Sequence, residues 1–435
     1  MKSLRLTILA ICLFSASYGQ EYRLTLSVLN AENREPVPYA TIMFVEQQYG
    51  FSANSSGRFS LRVNKVEFQR KLNISSIGFE DFTITLGDLI EKDINEILLK
   101  PKVTILDELM VRAEAESPSD IIRKSTKLLP EFLGNAPYYL HMFYKESLLQ
   151  HNRHVGFTEG YGIMHVTDYV RAQRTKNELF KLDLVQWKNI RRSDYELKDD
   201  CDTLKSRKLG IAKLMKAKTE YFHRGPLTKG FIDQYKYNID SLTSYHGHDV
   251  FVIGFQPKQW TEEDQIQGQI YINADDYALL SIRVSQRNSK TLFFNNCKIP
   301  SSKSEFKLTF TQVSKQYFIK ELYLKNTFMD IEEEIKIIGG EFQVNKVQRL
   351  NYDQRVVLYN EMINPAISYN SEFWKDHGDD ISALIIKDLT HDTSLYEQFV
   401  ENTGKRLEPL PPRFKDYRAL YSDRNVFKLY FNGDL

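Results

Sequence analysis

A chain of 435 residues with 58 Lys plus Arg against 57 Asp plus Glu has a formal net charge of +1. That balance excludes the basic excess of a dedicated nucleic-acid or polyanion binder. With 42% hydrophobic and 13% aromatic residues and only three cysteines, stability must come from conventional cores rather than a disulfide framework, and the length suits two or three domains.

The N-terminus has the pattern of a secretory signal. Lys2 and Arg5 precede the apolar run Leu6 to Phe14, and Ser17-Tyr18-Gly19 places cleavage before Gln20. The run is too short to span a bilayer. Cys12 could be acylated only if a small residue preceded it, and Ile11 is bulky. Simple cleavage is therefore expected, leaving Cys201 and Cys297 as one bridge or as two separate thiols. No later stretch of 18 apolar residues predicts a transmembrane helix.

Residues 21 to 112 alternate like a half-buried antiparallel sheet. Tyr22, Leu24, Leu26 and Val28 share one face; Glu35-Pro36-Val37-Pro38 breaks the strand, and Ala40 to Val45 resumes it. Asn54-Ser55-Ser56-Gly57 is a turn cluster, followed by alternating Phe59, Leu61 and Val63. Leu72 and Ile74, then Phe82, Ile84 and Leu86, lie on either side of Gly78, and Ile94 to Leu99 closes the set. Short strands at this spacing predict a small β-sandwich, with Gly57 and Gly78 at positive φ.

Several pieces of this stretch resemble the carboxypeptidase-regulatory-like domain, a transthyretin-like β-sandwich common in envelope proteins of Gram-negative bacteria. They are Glu35-Pro36-Val37-Pro38-Tyr39-Ala40-Thr41-Ile42, Asn54-Ser55-Ser56-Gly57-Arg58-Phe59, Ser75-Ser76-Ile77-Gly78-Phe79-Glu80 and the exit sequence Leu106-Asp107-Glu108-Leu109-Met110-Val111. The family's opening glycine is missing from Leu26-Ser27-Val28-Leu29-Asn30. The resemblance implies a spacer or interaction module without catalytic residues. Two family contexts do not fit the rest of the chain. About 320 residues remain, too few for a transporter plug and a barrel of about 22 strands. A zinc carboxypeptidase needs His-x-x-Glu, which none of the nine histidines begins.

The second region starts with a helix: Ser117 is its N-cap, Pro118 its first residue and Asp120 its third. Ile121, Ser125, Leu128 and Phe132 recur at helical spacing, and Pro137 follows. The linker before it is placed at Arg112 to Ser117. A strand series then implies an antiparallel meander. Tyr139 to Leu149 and Val155 to Val166 form a hairpin around His151-Asn152-Arg153-His154. Further strands are Phe231 to Leu242, Val250 to Gln256, Gln265 to Ile272, Ala278 to Gln286, Phe306 to Val313, Tyr317 to Phe328 and Glu332 to Val344. Thr203 to Ala217 and Ser394 to Val400 read as helices, Ser371-Glu372-Phe373-Trp374 as the opening of a polar stretch, and Pro409 to Leu435 as a surface tail. The block Tyr245 to Ile253, Gly268 to Asn273 and Tyr277 to Leu280 resembles lipoprotein-carrier folds, which implies a curved antiparallel sheet around a helix with a hydrophobic groove.

Candidate chemistry is sparse. His246-x-His248-Asp249 is the best metal pattern, but Gly247 marks a turn and a third ligand is missing, so a solvent-exposed turn is the expectation; the same holds for His151-x-x-His154. Gly50-Phe51-Ser52-Ala53-Asn54 lacks the last glycine and the following helix of a nucleophile elbow. Asp199-Asp200, Asp275-Asp276 and Asp379-Asp380 are adjacent carboxylates in turns, not acid–base pairs. No Gly-rich phosphate loop occurs.

The architecture expected is mainly β with an α+β second region: signal peptide 1–19, β-sandwich 21–112, antiparallel-sheet region 117–375 with packing helices, and a C-terminal helical segment and tail 376–435. The expected protein is a non-enzymatic exported envelope binding or scaffolding module, periplasmic or outer-membrane-associated, with no catalytic residues, cofactor, metal or nucleic-acid partner. Its partner would be an envelope protein or an apolar ligand. A lipid or lipoprotein carrier and an undetected hydrolase are the alternatives. Mass spectrometry of exported protein should find Gln20 or Glu21 as the mature N-terminus; retained Met1 or lipid on Cys12 would contradict the signal reading.

Overall fold

The structure, a computed structural model, describes residues 21–45, 50–89, 94–104, 116–134, 136–169, 180, 182–195, 222, 225–260, 265–288, 292–294, 297–299, 302–313, 316–344, 347, 369–377, 381, 383–390 and 393–403. The signal segment, most of the exit sequence and linker, the helix expected at 203–217, Cys201 and the tail lie outside these residues. The chain divides into two compact units, Met1–Lys102 with Tyr245–Gly247 and Val103–Ser244 with His248–Leu435.

The first unit is a sandwich of two sheets. One has the order β4 (Arg58–Asn64), β1 (Glu21–Asn30), β7 (Asn95–Leu99); the other has β3 (Gly50–Ser52), β2 (Thr41–Phe44), β5 (Lys71–Ser75), β6 (Phe82–Thr85). Alternation places Leu24, Leu26 and Val28 of β1 in the core with Ile42, Leu72, Ile74 and Ile97. The expectation of a purely antiparallel sheet is corrected at one pairing: β1 and β7 run parallel, Leu26 opposite Asn95 through Asn30 opposite Leu99. Between β6 and β7 the chain crosses from one sheet to the other, so it returns alongside β1 in the same direction. At the turn cluster the Asn54 carboxamide oxygen accepts from the backbone N–H of Ser56 and Arg58 at 3.1 and 2.8 Å. Gly57 has φ +71°, and a Cβ there would lie 2.5 Å from the Val28 carbonyl oxygen, so only glycine fits.

The second unit opens with helix α1 (Pro118–Phe132). The Ser117 hydroxyl accepts from the Asp120 N–H at 3.2 Å, the N-cap expected from the sequence. The fully buried face is Ile121, Ile122, Ser125 and Leu129; Leu129 takes the place expected for Leu128.

An eleven-stranded sheet follows. Its elements are β8 (Val103–Thr104), β9 (Tyr138–Gln150), β10 (Arg153–Val166), β11 (Leu182–Arg192), β12 (Tyr235–Tyr245), β13 (His248–Pro257), β14 (Gln265–Asn273), β15 (Leu279–Asn288), β18 (Ser302–Val313), β19 (Gln316–Phe328) and β20 (Ile331–Gln343); a small separate ribbon joins β16 (Leu292–Phe294) to β17 (Cys297–Ile299). The order is β11-β10-β9-β20-β19-β18-β15-β14-β13-β12-β8. β12 to β20 thus form the meander, and β20 pairs back onto β9 over thirteen-residue strands to join it to the β9–β10–β11 ribbon. The sheet is antiparallel and curved. β11 is the long strand that sequence alternation missed, besides the short β3, β8, β16 and β17; two register irregularities in its pairing with β10 break the period.

Three short helices complete the unit: α2 (Ser371–His377), α3 (Ala383–Leu389) and α4 (Leu395–Asn402). The polar stretch expected at Ser371 is instead a helix with Trp374 only 3% exposed. α4 starts at Ser394 with a capping box to Glu397. Ile385, Leu389, Leu395 and Phe399 form a core with Phe157 of β10. At its edge Arg191 of β11 donates to Glu159 through Nε at 2.8 Å and Nη2 at 2.5 Å, with both side chains under one-tenth exposed. The guanidinium also lies 4.8 Å from the Trp374 ring and 5.6 Å from the Phe399 ring. Removing Arg191 leaves the buried Glu159 carboxylate with the longer Lys145 contact at 3.8 Å in place of a bidentate guanidinium. Arg191→Met should therefore cost about 3–5 kcal/mol in urea unfolding, and adding Glu159→Leu should recover much of it. Equal losses in the single and double variants would contradict this coupling.

Candidate functional site

The histidine motifs sit in hairpin turns. His246 and Gly247 have φ of 50° and 74°, and His151 and Asn152 have 50° and 60°, the paired positive values that tight two-residue hairpins demand. The nearby histidines do not converge. Within the first unit, His246 Nδ1 lies 3.6 Å from Asp81 Oδ2; at 17% exposed, this histidine is not the solvent-exposed turn residue expected. In the second unit His248 Nδ1 is 2.7 Å from Asp275 Oδ2, and this residue is half exposed. His151 Nδ1 is 3.0 Å from Asp330 Oδ2, whereas His154 Nδ1 faces the Ser147 hydroxyl at 3.1 Å, and burial pushes the His154 imidazole below its usual range. Among the described residues no three His, Cys, Asp or Glu side chains are placed to hold a metal ion.

The other candidates are turn and strand residues. Gly50 to Ser52 is β3, with no helix after it. Asp276 accepts the Ala278 N–H at 2.9 Å and the Tyr317 hydroxyl at 3.2 Å, so it fastens a turn. Asp199-Asp200 and Asp379-Asp380 lie outside the described residues.

The large sheet itself presents a site that the sequence reading did not single out. Pairing aligns Gly254, Gln269, Arg283, Lys307, Tyr323, Lys336, Lys145, Glu159 and Arg191 in one row across nine strands. The adjacent row is Phe255, Gly268, Val284, Phe306, Leu324 and Ile335, continuing into Glu146, Thr158 and Arg192. Because side chains alternate, the first row projects from a polar face and the second from an apolar one. On the apolar face Phe306 is 1% exposed and meets the Phe222 ring at 6.3 Å.

Over β12 to β19 the polar face holds a groove of about 520 Å³. Its floor passes over Gly254, where a Cβ would meet the Asp240 carboxylate at 2.7 Å. Glycine in a strand interior costs stability, and here it leaves room for that carboxylate to lie across the sheet. Asp240 accepts from the Gln269 side chain at 2.9 Å and from Asn238; the Tyr271 hydroxyl donates to Gln269 at 3.1 Å. The Arg283 guanidinium stands 5.1 Å from the Tyr271 ring, and burial raises the Tyr271 phenol above its usual range.

Most charges around the groove are already paired. Lys307 Nζ meets Glu321 at 2.6 Å, Lys303 meets Glu305 at 2.6 Å, and Lys336 meets Glu334 at 3.2 Å. Lys336 also covers the Tyr323 ring at 5.0 Å. Beside Lys307 and Glu321, burial drives the Lys320 ammonium down to about 7. Arg283 differs: it is exposed and has no carboxylate partner among the described residues. The side chains of Gln256, Gln267 and Ser285, also in the lining, have no hydrogen-bond partner there either. The sequence signal for this place was the pair of glycines, Gly254 and Gly268, inside strands otherwise rich in Ile and Val.

Residues 27–111 match the CarboxypepD_reg-like domain and form such a domain. No curated protein matches the chain. Among solved structures, a LolA superfamily protein from Nitrosomonas europaea is 6% identical over 54% of this chain and 96% of that one, with a TM-score of 0.25. A DUF1329 family protein from Desulfovibrio piger is 11% identical over 54% and 96%, with a TM-score of 0.24. At these scores neither likeness bears on function.

The separate partners of the histidines generate a prediction. Purified protein should hold no stoichiometric zinc by elemental analysis, and His248→Ala should shift stability by no more than about 0.5 kcal/mol, as exposed substitutions do. Zinc at one equivalent that disappears in that variant would contradict it.

Proposed function

We propose that this chain is a non-enzymatic, exported cell-envelope protein, periplasmic or outer-membrane-associated, whose second unit binds a polar ligand in the groove of its sheet. The observation that carries this reading is the set Arg283, Gln256, Gln267 and Ser285, whose side chains have no carboxylate or hydrogen-bond partner among the described residues, gathered around a glycine floor while the neighbouring charges are neutralised. Polar groups left open at a concave surface are what a binding site requires.

Export is supported by Lys2, Arg5, the apolar run Leu6 to Phe14 and Ser17-Tyr18-Gly19. The envelope setting is supported by the CarboxypepD_reg-like domain at 27–111, a module resembled by many Gram-negative envelope proteins. Among the described residues no helix is long and apolar enough to cross a membrane. The non-enzymatic reading is supported by the groove lining: among the described residues Ser285 has no histidine beside it, and the lining carboxylates Asp240 and Glu305 are held by Gln269 and Lys303 rather than by each other.

Filling the groove tests the assignment. In Gly254→Trp the new side chain displaces the flexible end of Asp240, so the fold should survive while the groove closes. A panel of small polar compounds is screened by thermal shift, since a ligand of the native state raises Tm. Every compound that stabilises the wild type should leave Gly254→Trp unmoved. A compound that stabilises both equally would place binding elsewhere.

A further inference from the structure

The free groups of the groove define what it takes. Resting on the binding reading above, we infer that the groove recognises a glycan segment bearing one anionic group, with Arg283 as the anion anchor and Gln256, Gln267 and Ser285 bonding to its hydroxyls.

The charge pattern limits the ligand to few negative groups. Along the polar row Lys307 and Lys336 are tied to Glu321 and Glu334, which leaves Arg283 as the exposed cation of the groove without a carboxylate among the described residues. A guanidinium presents a rigid fork of donors that matches a carboxylate or a phosphate. The near-zero net charge of the chain likewise disfavours a polyanion.

The rest of the lining favours a glycan over a peptide. Peptides are held by pairing with a free strand edge, by an apolar groove that takes a helix, or by open aromatic faces that take polyproline. None of these is present around Arg283 among the described residues. The lining strands β13, β14, β15 and β18 have neighbours on both sides, and the edge of β12 that β8 does not cover, beyond Leu242 and Thr243, lies three strands from Arg283 and Ser285. The Tyr323 ring of the lining lies beneath the Lys336 ammonium, and the buried Tyr271 ring outside it lies beneath the Arg283 guanidinium. What remains for a ligand to bond is two carboxamides, a hydroxyl and a guanidinium, all of them side-chain groups. Carboxamides both donate and accept, as a ring of hydroxyls requires.

The test is calorimetric titration of the full mature chain with 3′-sialyllactose, which carries one carboxylate, lactose, glucose 6-phosphate, and a blocked Gly-Glu-Gly peptide. Sialyllactose should bind at least tenfold more tightly than lactose, because a charge-assisted hydrogen bond is worth at least about that factor. Arg283→Gln should erase the difference while Tm stays unchanged, and Arg283→Lys should restore part of it. Binding of glucose 6-phosphate in place of sialyllactose would assign the anion as phosphate and keep the inference. If the peptide binds as tightly as sialyllactose and Arg283→Gln abolishes both, the glycan class is overturned but the groove stands. If no probe binds, or Arg283→Gln and Gly254→Trp leave the sialyllactose affinity intact, both the glycan and the groove readings fall.

Discussion

The second unit depends on one long-range pairing, that of β9 with β20. It joins residues about 190 positions apart and fuses a local ribbon, β9 to β11, to a local meander, β12 to β20. Such a closure is entropically costly, so the register it adopts has to be specified strongly. Apolar pairs specify it from one face: Ile337 lies opposite Tyr144, and Phe342 opposite Leu140. The other face works against it, because Lys145 stands directly opposite Lys336, a destabilising cross-strand arrangement. Glu159 at 3.8 Å from Lys145 and Glu334 at 3.2 Å from Lys336 offset the repulsion. The acidic residues of this face are therefore structural before they are anything else.

Once that register holds, the two faces have separate chemistries. A one-residue slip would carry Val284, Phe306, Leu324 and Ile335 to the polar side and bury Arg283, Lys307 and Lys336. At the β9–β11 end the polar face is covered by α3 and α4 around Phe157 and the Arg191–Glu159 pair. At the β12–β19 end the groove remains, with Asp240 lying across Gly254. One continuous row of side chains thus serves as a docking surface for helices at one end and lines the groove at the other.

Local rules were enough for much of the fold. Asn54 and Gly57 mark a turn whose geometry allows little else, and Ser117-Pro118-Ser119-Asp120 caps a helix through contacts within four residues. The meander strands were readable because Ile, Val and Phe alternate with charges over ten or more residues. What escaped depends on distant partners. β11 was hidden by its irregular pairing, and the helix around Trp374 read as polar because its apolar side is defined by Arg191 and Tyr161 from elsewhere in the chain. The groove escaped for the same reason. Gln269, Arg283 and Asp240 become neighbours only through three strand pairings, and whether a cation is free or paired cannot be read from its own position. The histidines of His246-x-His248 were conspicuous in sequence, yet each is taken by a different aspartate.

Register alone assigns these side chains to a polar, solvent-facing row and an apolar, buried one. Cysteine accessibility tests it most directly. In a chain whose native cysteines are replaced, single cysteines are placed at Gln269, Arg283 and Lys307, and separately at Val284, Phe306 and Leu324, and the rate of maleimide labelling is measured on the folded protein. The first three should label rapidly and the last three only after unfolding. Rapid labelling at Val284, Phe306 or Leu324, with protection at Arg283, would mean a register shifted by one and no groove of this composition.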